Sequence, residues 1–133
     1  MNSGKWSKIA VPSCWEEQGF GTFNYGEDKI NPDEKGFYKF SFKTQSVWRG
    51  KKIFIVFEGS MTDTEVSIDG KPAGPIHQGA FYQFRYNITE ILKEGEDHLL
   101  EVRVSKKSAN NSINHAERQA DFWLFGGIFR RCF

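Results

Sequence analysis

From Gly36 onward the chain alternates apolar and polar positions with the period of two that belongs to β-strands. Tyr38, Phe40 and Phe42 fall on one face and Lys39, Ser41 and Lys43 on the other, as in a half-buried antiparallel strand. Ile53-Phe54-Ile55-Val56-Phe57 is apolar at every position, which predicts a strand covered on both faces. Thr64 to Ile68 alternates again and runs into Asp69-Gly70, the strongest short hairpin signal in the chain. Phe81 to Tyr86 predicts a further strand, and Asn87 to Lys93 a single helical turn closed by Gly95. Leu100, Val102 and Val104 then alternate with Glu101, Arg103 and Ser105, and Ser108 to His115 reads as a polar loop. Roughly seven or eight short strands joined by turn signals, with one turn of helix, predict an all-β antiparallel β-sandwich. The Cys–Trp–Cys spacing of immunoglobulin domains is missing, which favours a jelly roll.

Upstream of the clear strands lies an extended segment in which Pro12 forbids a central strand position and Trp15 packs down on the core. Gly19-Phe20-Gly21-Thr22-Phe23-Asn24-Tyr25-Gly26 follows as a loop rich in glycine and aromatic rings. Such a loop either presents rings to a ligand or folds them back as a plug. The last stretch, Asp121-Phe122-Trp123-Leu124-Phe125-Gly126-Gly127-Ile128-Phe129-Arg130, sets large apolar side chains round a Gly-Gly pair. Glycines inside a strand-like run let it kink, so that its two halves serve different places. Asp121 at its head is either held by Arg118 or Arg130, or aimed into a site.

At 133 residues the chain is about one domain, able to bury a core unaided. A formal charge of +1 with interspersed acids and bases shows no nucleic-acid footprint. No apolar run nears the ~20 residues that cross a bilayer. Met1-Asn2-Ser3-Gly4-Lys5-Trp6 lacks the apolar centre of a signal peptide. Cys14 and Cys132 are expected as free, partly buried thiols rather than a disulfide. Of the three histidines, His77, His98 and His115, none has ligand spacing, and His98 beside Glu96 and Asp97 is expected at the surface. No nucleophile–base pair, phosphate-cradling loop or zinc pattern stands out, so neither metal nor cofactor is expected.

The polar residues left over are of the types that hold sugars. Asn24, Glu27, His77, Gln78, Asn114, Glu117, Arg118 and Asp121 offer carboxylates, amides and a base for hydroxyls. Tyr25 and Trp123 offer ring faces for C–H patches.

In its motifs the chain resembles the N-terminal sugar-binding domain of glycoside hydrolase family 2, the β-galactosidase, β-glucuronidase and β-mannosidase group. The resemblance runs from Val11-Pro12-Ser13-Cys14-Trp15-Glu16 through Phe57-Glu58-Gly59, Asp69-Gly70 and His77-Gln78-Gly79 to the closing stretch from Asp121 to Arg130. It implies a jelly roll, residues 1–133, excised from a longer retaining exo-glycosidase whose two catalytic glutamates lie in a separate barrel. This fragment alone is then inactive, and its partners are a carbohydrate substrate and the parent's other domains. The matching aspartate of several members reaches the terminal sugar's hydroxyls, so Asp121 is expected to bind substrate, with Asn24, Glu27 and Trp123 beside it. The asparagine that contacts sugar in the galactosidases falls near Glu27 here, with Asn24 on the other side of Tyr25, a departure from the galactose pattern. It also weakens the case for a cation at Asp121. His77 is expected to hold its loop, and Glu117 and Arg118 to brace the approach to Asp121. A free-standing carbohydrate-binding module and a pure scaffold are the other readings. Members occupy several compartments, so the resemblance assigns none.

Overall fold

The computed structural model describes residues 5–133; the opening residues Met1 to Gly4 lie outside them. Two layers enclose the core. One is a four-stranded antiparallel sheet in the order β2 (Lys35–Lys43), β7 (Asp97–Ser105), β4 (Asp63–Ile68), β5 (Lys71–Pro72). The other is built on β3 (Phe54–Phe57) and β6 (Phe84–Asn87). Its free edge is lengthened by the chain's end, where Val56 and Phe133 exchange backbone hydrogen bonds of 2.7 and 2.9 Å and Phe57 bridges Cys132. Ile55, Phe57 and Tyr86 from this layer meet Val66, Ile68, Val102 and Val104 from the first, with Trp15 and Ile128 closing one side. This is the antiparallel β-sandwich of jelly-roll type that the alternation predicts.

A third, short ribbon carries the rim of the sandwich. β1 (Asn24–Tyr25) pairs antiparallel with β8 (Trp123–Leu124), so the first and last strands of the chain are neighbours. The kink expected at Gly126-Gly127 is present. Residues before it pair with β1, whereas Gly127 bridges Met61 and residues 131–133 run along β3. Gly127 has φ +116°, a conformation glycine adopts without penalty. The Asp69-Gly70 hairpin also forms, both residues at positive φ and Ile68 paired with Lys71.

Several expectations are corrected. β3 is not covered on both faces: Ile55 and Phe57 are buried, while Phe54 is exposed beneath the guanidinium of Arg85. Phe40 shares a face with Tyr38 and Phe42 yet is 64% exposed, because β2 is a sheet edge that the second layer leaves uncovered there. His98 is interior, not superficial. Only 3% of it is exposed, and its Nδ1 lies 2.6 Å from Asp69 and its Nε2 3.1 Å from the Lys93 carbonyl. Within the stretch read as a polar loop, a helix, α1 (Asn111–Glu117), forms behind Asn110, whose side chain accepts from the Ser112 N–H at 3.0 Å. Within the glycine-rich stretch from Gly19 to Gly26, read as a loop, Asn24 and Tyr25 form the strand β1. Cys14 and Cys132 are free thiols, both pushed up to about 11 mainly by burial. No helix among the described residues is long and apolar enough to cross a membrane.

Candidate functional site

The chain reaches Asp121 through a tightly specified loop. Helix α1 ends at Arg118, whose N–H donates to the Asn114 carbonyl at 2.9 Å. Phe122 N–H then donates to the Ala120 carbonyl at 2.9 Å, which sets Asp121 at the middle of a three-residue turn. Gly26 N–H donates to the Phe122 carbonyl at 2.9 Å, fastening the loop to the end of β1. The pleat of β8 turns Leu124 inward and leaves Trp123 51% exposed. Its ring meets Phe23 edge-on at 5.8 Å and Tyr25 at 5.0 Å.

Asp121 is exposed on this rim. Its carboxylate neighbours the Tyr25 hydroxyl, and hydrogen bonding between them favours the protonated phenol and raises it above its ordinary value. Neither expected ion-pair partner serves it. Arg118 points into the protein, and Arg130 lies over the ring of Phe129 at 5.4 Å. Among the described residues no basic group stands within ion-pair distance of Asp121. The arrangement is a free carboxylate flanked by rings on an open face. A groove of about 740 Å³ lies elsewhere, between the N-terminal segment and β2, lined by Trp6, Phe20, Glu34 and Phe37 among others. Asp121 does not line it.

The other predicted residues separate into two groups. Glu27 is exposed in the turn that follows Tyr25, next to Gly26, whose N–H is bonded to Phe122. Asn24 goes the other way: it is 7% exposed, and its amide oxygen accepts from Lys106 Nζ at 2.9 Å. Its position on the inward phase of β1 spends it on the interior rather than on the rim. His77 stacks on Phe84 with ring centroids 3.8 Å apart, its Nε2 3.1 Å from the Gly79 carbonyl. Burial holds its imidazole below the ordinary value, against the pull of that carbonyl and of Glu117 and Asp63. Gln78 donates to Asp63 at 3.2 Å, and Asn114 grips both backbone groups of Ser108 at 2.8 and 2.9 Å. Glu117 accepts from the Ala80 N–H at 2.8 Å, so the end of α1 fixes the loop after His77. Arg118 donates to the Phe125 carbonyl at 2.6 Å.

Beneath the rim is a charged cluster that the sequence reading missed. Lys106 is wholly buried, with Nζ 2.7 Å from Glu16 and 3.3 Å from Glu34, and it also donates to the Thr22 carbonyl and to Asn24. Both carboxylate oxygens of Glu16 accept from the Gly126 N–H at 3.1 Å. One ion pair thus ties β1, through Asn24, to the kink that follows β8, through Gly126. Its signal was in the pattern: continuing the alternation of Val102 and Val104 by one step brings Lys106 to the inward phase.

No group of three or more His, Cys, Asp or Glu among the described residues is placed to hold a metal ion. Fold and rim together define a jelly-roll domain that offers side chains on an open wall rather than enclosing a reaction centre. The chain belongs to the family described as the sugar-binding domain of glycosyl hydrolases family 2, which matches residues 3–133. It is 35% identical over 94 residues to a β-galactosidase of Thermoanaerobacter pseudethanolicus, covering 70% of this chain and 12% of that protein. To a β-glucuronidase of Bacteroides fragilis it is 30% identical over 131 residues, covering 96% of this chain and 17% of that one. Among solved structures, β-glucuronidase 2 of Bacteroides uniformis superposes with a TM-score of 0.75 at 25% identity, over 99% of this chain and 14% of that one. The chain therefore spans less than a fifth of each of these three relatives.

Proposed function

We propose that residues 1–133 form the sugar-binding domain of a larger retaining exo-glycosidase, β-galactosidase-like, that hydrolyses terminal glycosidic bonds. The domain supplies one wall of the active site and packs against the domain that carries the chemistry. The free carboxylate of Asp121, set on a three-residue turn between Tyr25 and Trp123, is the observation that carries this reading. A carboxylate free of any ion pair has lone pairs to spare beside its contact with Tyr25 for a sugar's hydroxyls, and the neighbouring ring faces suit the apolar side of a pyranose. Glu27, exposed in the adjoining turn, is proposed to add a second acidic group to this wall. The acid/base and nucleophile, a pair of carboxyls about 5–5.5 Å apart in retaining enzymes, come from elsewhere in the parent. Holding the terminal sugar from this side lowers the barrier by orienting the scissile bond toward that pair.

Replacing Asp121 by Ala in the full-length enzyme tests it. kcat/KM on p-nitrophenyl glycosides should fall by about tenfold to a hundredfold with the melting temperature unmoved. An unchanged kcat/KM would leave the domain a scaffold. The exposed rings of Phe23, Tyr25 and Trp123 favour a second reading, an autonomous carbohydrate-binding module. Calorimetric titration of the isolated domain separates the two, because a wall domain binds oligosaccharide only feebly without its neighbour.

A further inference from the structure

Arg118 is costly where it lies. It is 4% exposed, and burial depresses its basicity against the more distant pull of Glu16, Glu117 and Cys14. Among the described residues no carboxylate stands within ion-pair distance of it. Its Nη2 donates to the Phe125 carbonyl at 2.6 Å, its Nη1 lies 3.5 Å from Met61 Sδ, and its Nε has no partner. A buried cation so thinly compensated opposes folding, and an apolar side chain of similar volume would fill the space at lower cost. The geometry of Arg118 gives the compensating role.

The Arg118–Phe125 bond spans seven residues and closes the loop that holds Asp121 at its centre. On the other flank the loop is fastened to β1 through Gly26 and Phe122. The far end of the guanidinium rests on Met61, whose own N–H donates to the Gly127 carbonyl at 2.9 Å, so the clasp is anchored to the strand beyond the kink. We propose that Arg118 is a positioning residue for Asp121, its guanidinium closing the loop from 118 to 125 and fixing the angle at which the carboxylate meets the sugar. This rests on the glycosidase reading above.

A double-mutant cycle in the full-length enzyme tests it, with kcat and KM measured on p-nitrophenyl β-galactoside and β-glucuronide for Arg118→Met, Asp121→Ala and the pair. If Arg118 acts through Asp121, Arg118→Met lowers kcat/KM about tenfold when Asp121 is present and less than about twofold in the Asp121→Ala background. Arg118→Lys, which keeps a donor for the Phe125 carbonyl, recovers part of the loss. An equal factor in both backgrounds overturns the proposal and makes Arg118 a packing residue only. An Asp121→Ala enzyme as active as wild type overturns the substrate-binding role of Asp121 and the positioning role with it, whereas a wild type that cleaves neither glycoside overturns the glycosidase reading. Should Arg118→Met fail to fold, Arg118→Lys and Arg118→Gln run the same cycle with the same two outcomes.

Discussion

The indole of Trp15 occupies the space where a side chain on Gly126 would begin: a Cβ there would lie 2.1 Å from Cζ2 and 2.4 Å from Cε2. The closing motif is therefore glycine at this point because the N-terminal segment is packed flat against it. Gly126→Ala should cost about 1–3 kcal/mol or more by overpacking, read as a lower denaturation midpoint in urea. Trp15→Phe, which withdraws the six-membered ring, should recover part of that loss in the double variant although it destabilises on its own.

Lys106 and Glu16 are each fully buried, and removing Lys106 leaves Glu16 without the cation that balances it. Lys106→Met alone should destabilise by about 3–5 kcal/mol. Lys106→Met combined with Glu16→Gln should cost clearly less than the sum of the two single changes. A urea denaturation cycle reads the coupling.

The His98–Asp69 pair makes stability depend on pH at both ends. Burial opposes charge on His98, but Asp69, the Lys93 carbonyl and Glu96 together outweigh it and hold the imidazole above its ordinary 6.5. Asp69 is held below its ordinary 3.8, first by the Leu99 N–H and then by His98. The raised group stabilises fully below about pH 6.5, and its contribution is lost as pH climbs through its folded value. The lowered group stabilises above about pH 3.8, and its contribution is lost as pH falls through its folded value. The melting temperature of the wild type should decline above neutrality. In Asp69→Asn the decline should be shallower, because His98 has lost the partner that raised it.

Tyr25 offers a direct probe of Asp121. The carboxylate raises the phenol, so Asp121→Asn should let Tyr25 ionise at lower pH. A tyrosine-resolved NMR titration of wild type and variant reads the difference. An identical Tyr25 titration in both would show that the two side chains do not meet in solution.

Much of this architecture could be read because the strand period is simple, and the misses share a cause. Residues 98, 100, 102, 104 and 106 all share one face of the same run. Only the apolar members mark the alternation, so His98 and Lys106, polar residues in the same phase, give no sign of their own of facing inward. Both are interior because each has a carboxylate waiting, Asp69 and Glu16, contributed by chain segments 29 and 90 positions earlier. Helix α1 escaped because five of its seven residues are polar and Ile113 and Ala116 alone are too few to mark an apolar stripe; Asn110 as a capping residue was its one local sign. The kink at Gly126-Gly127 and the Asp69-Gly70 hairpin were legible because glycine's permissiveness is a local property. Asp121 entered through its motif, since no periodicity distinguishes a free carboxylate from a paired one. The inward turn of Asn24 depended on Lys106 and was hidden with it.

The pairing of β1 with β8, and of the final residues with β3, has a consequence for how the domain is made. Trp15, Glu16 and Asn24 wait for partners more than eighty positions later in the chain. A nascent chain leaving the ribosome can form the β4–β5 hairpin early, but its rim and its second sheet cannot close until the segment after Asp121 has emerged. Until then its aromatic residues, 16% of the chain, have no finished interior to enter. Synthesis of this domain is thus a period of enforced exposure that ends with its last ten residues.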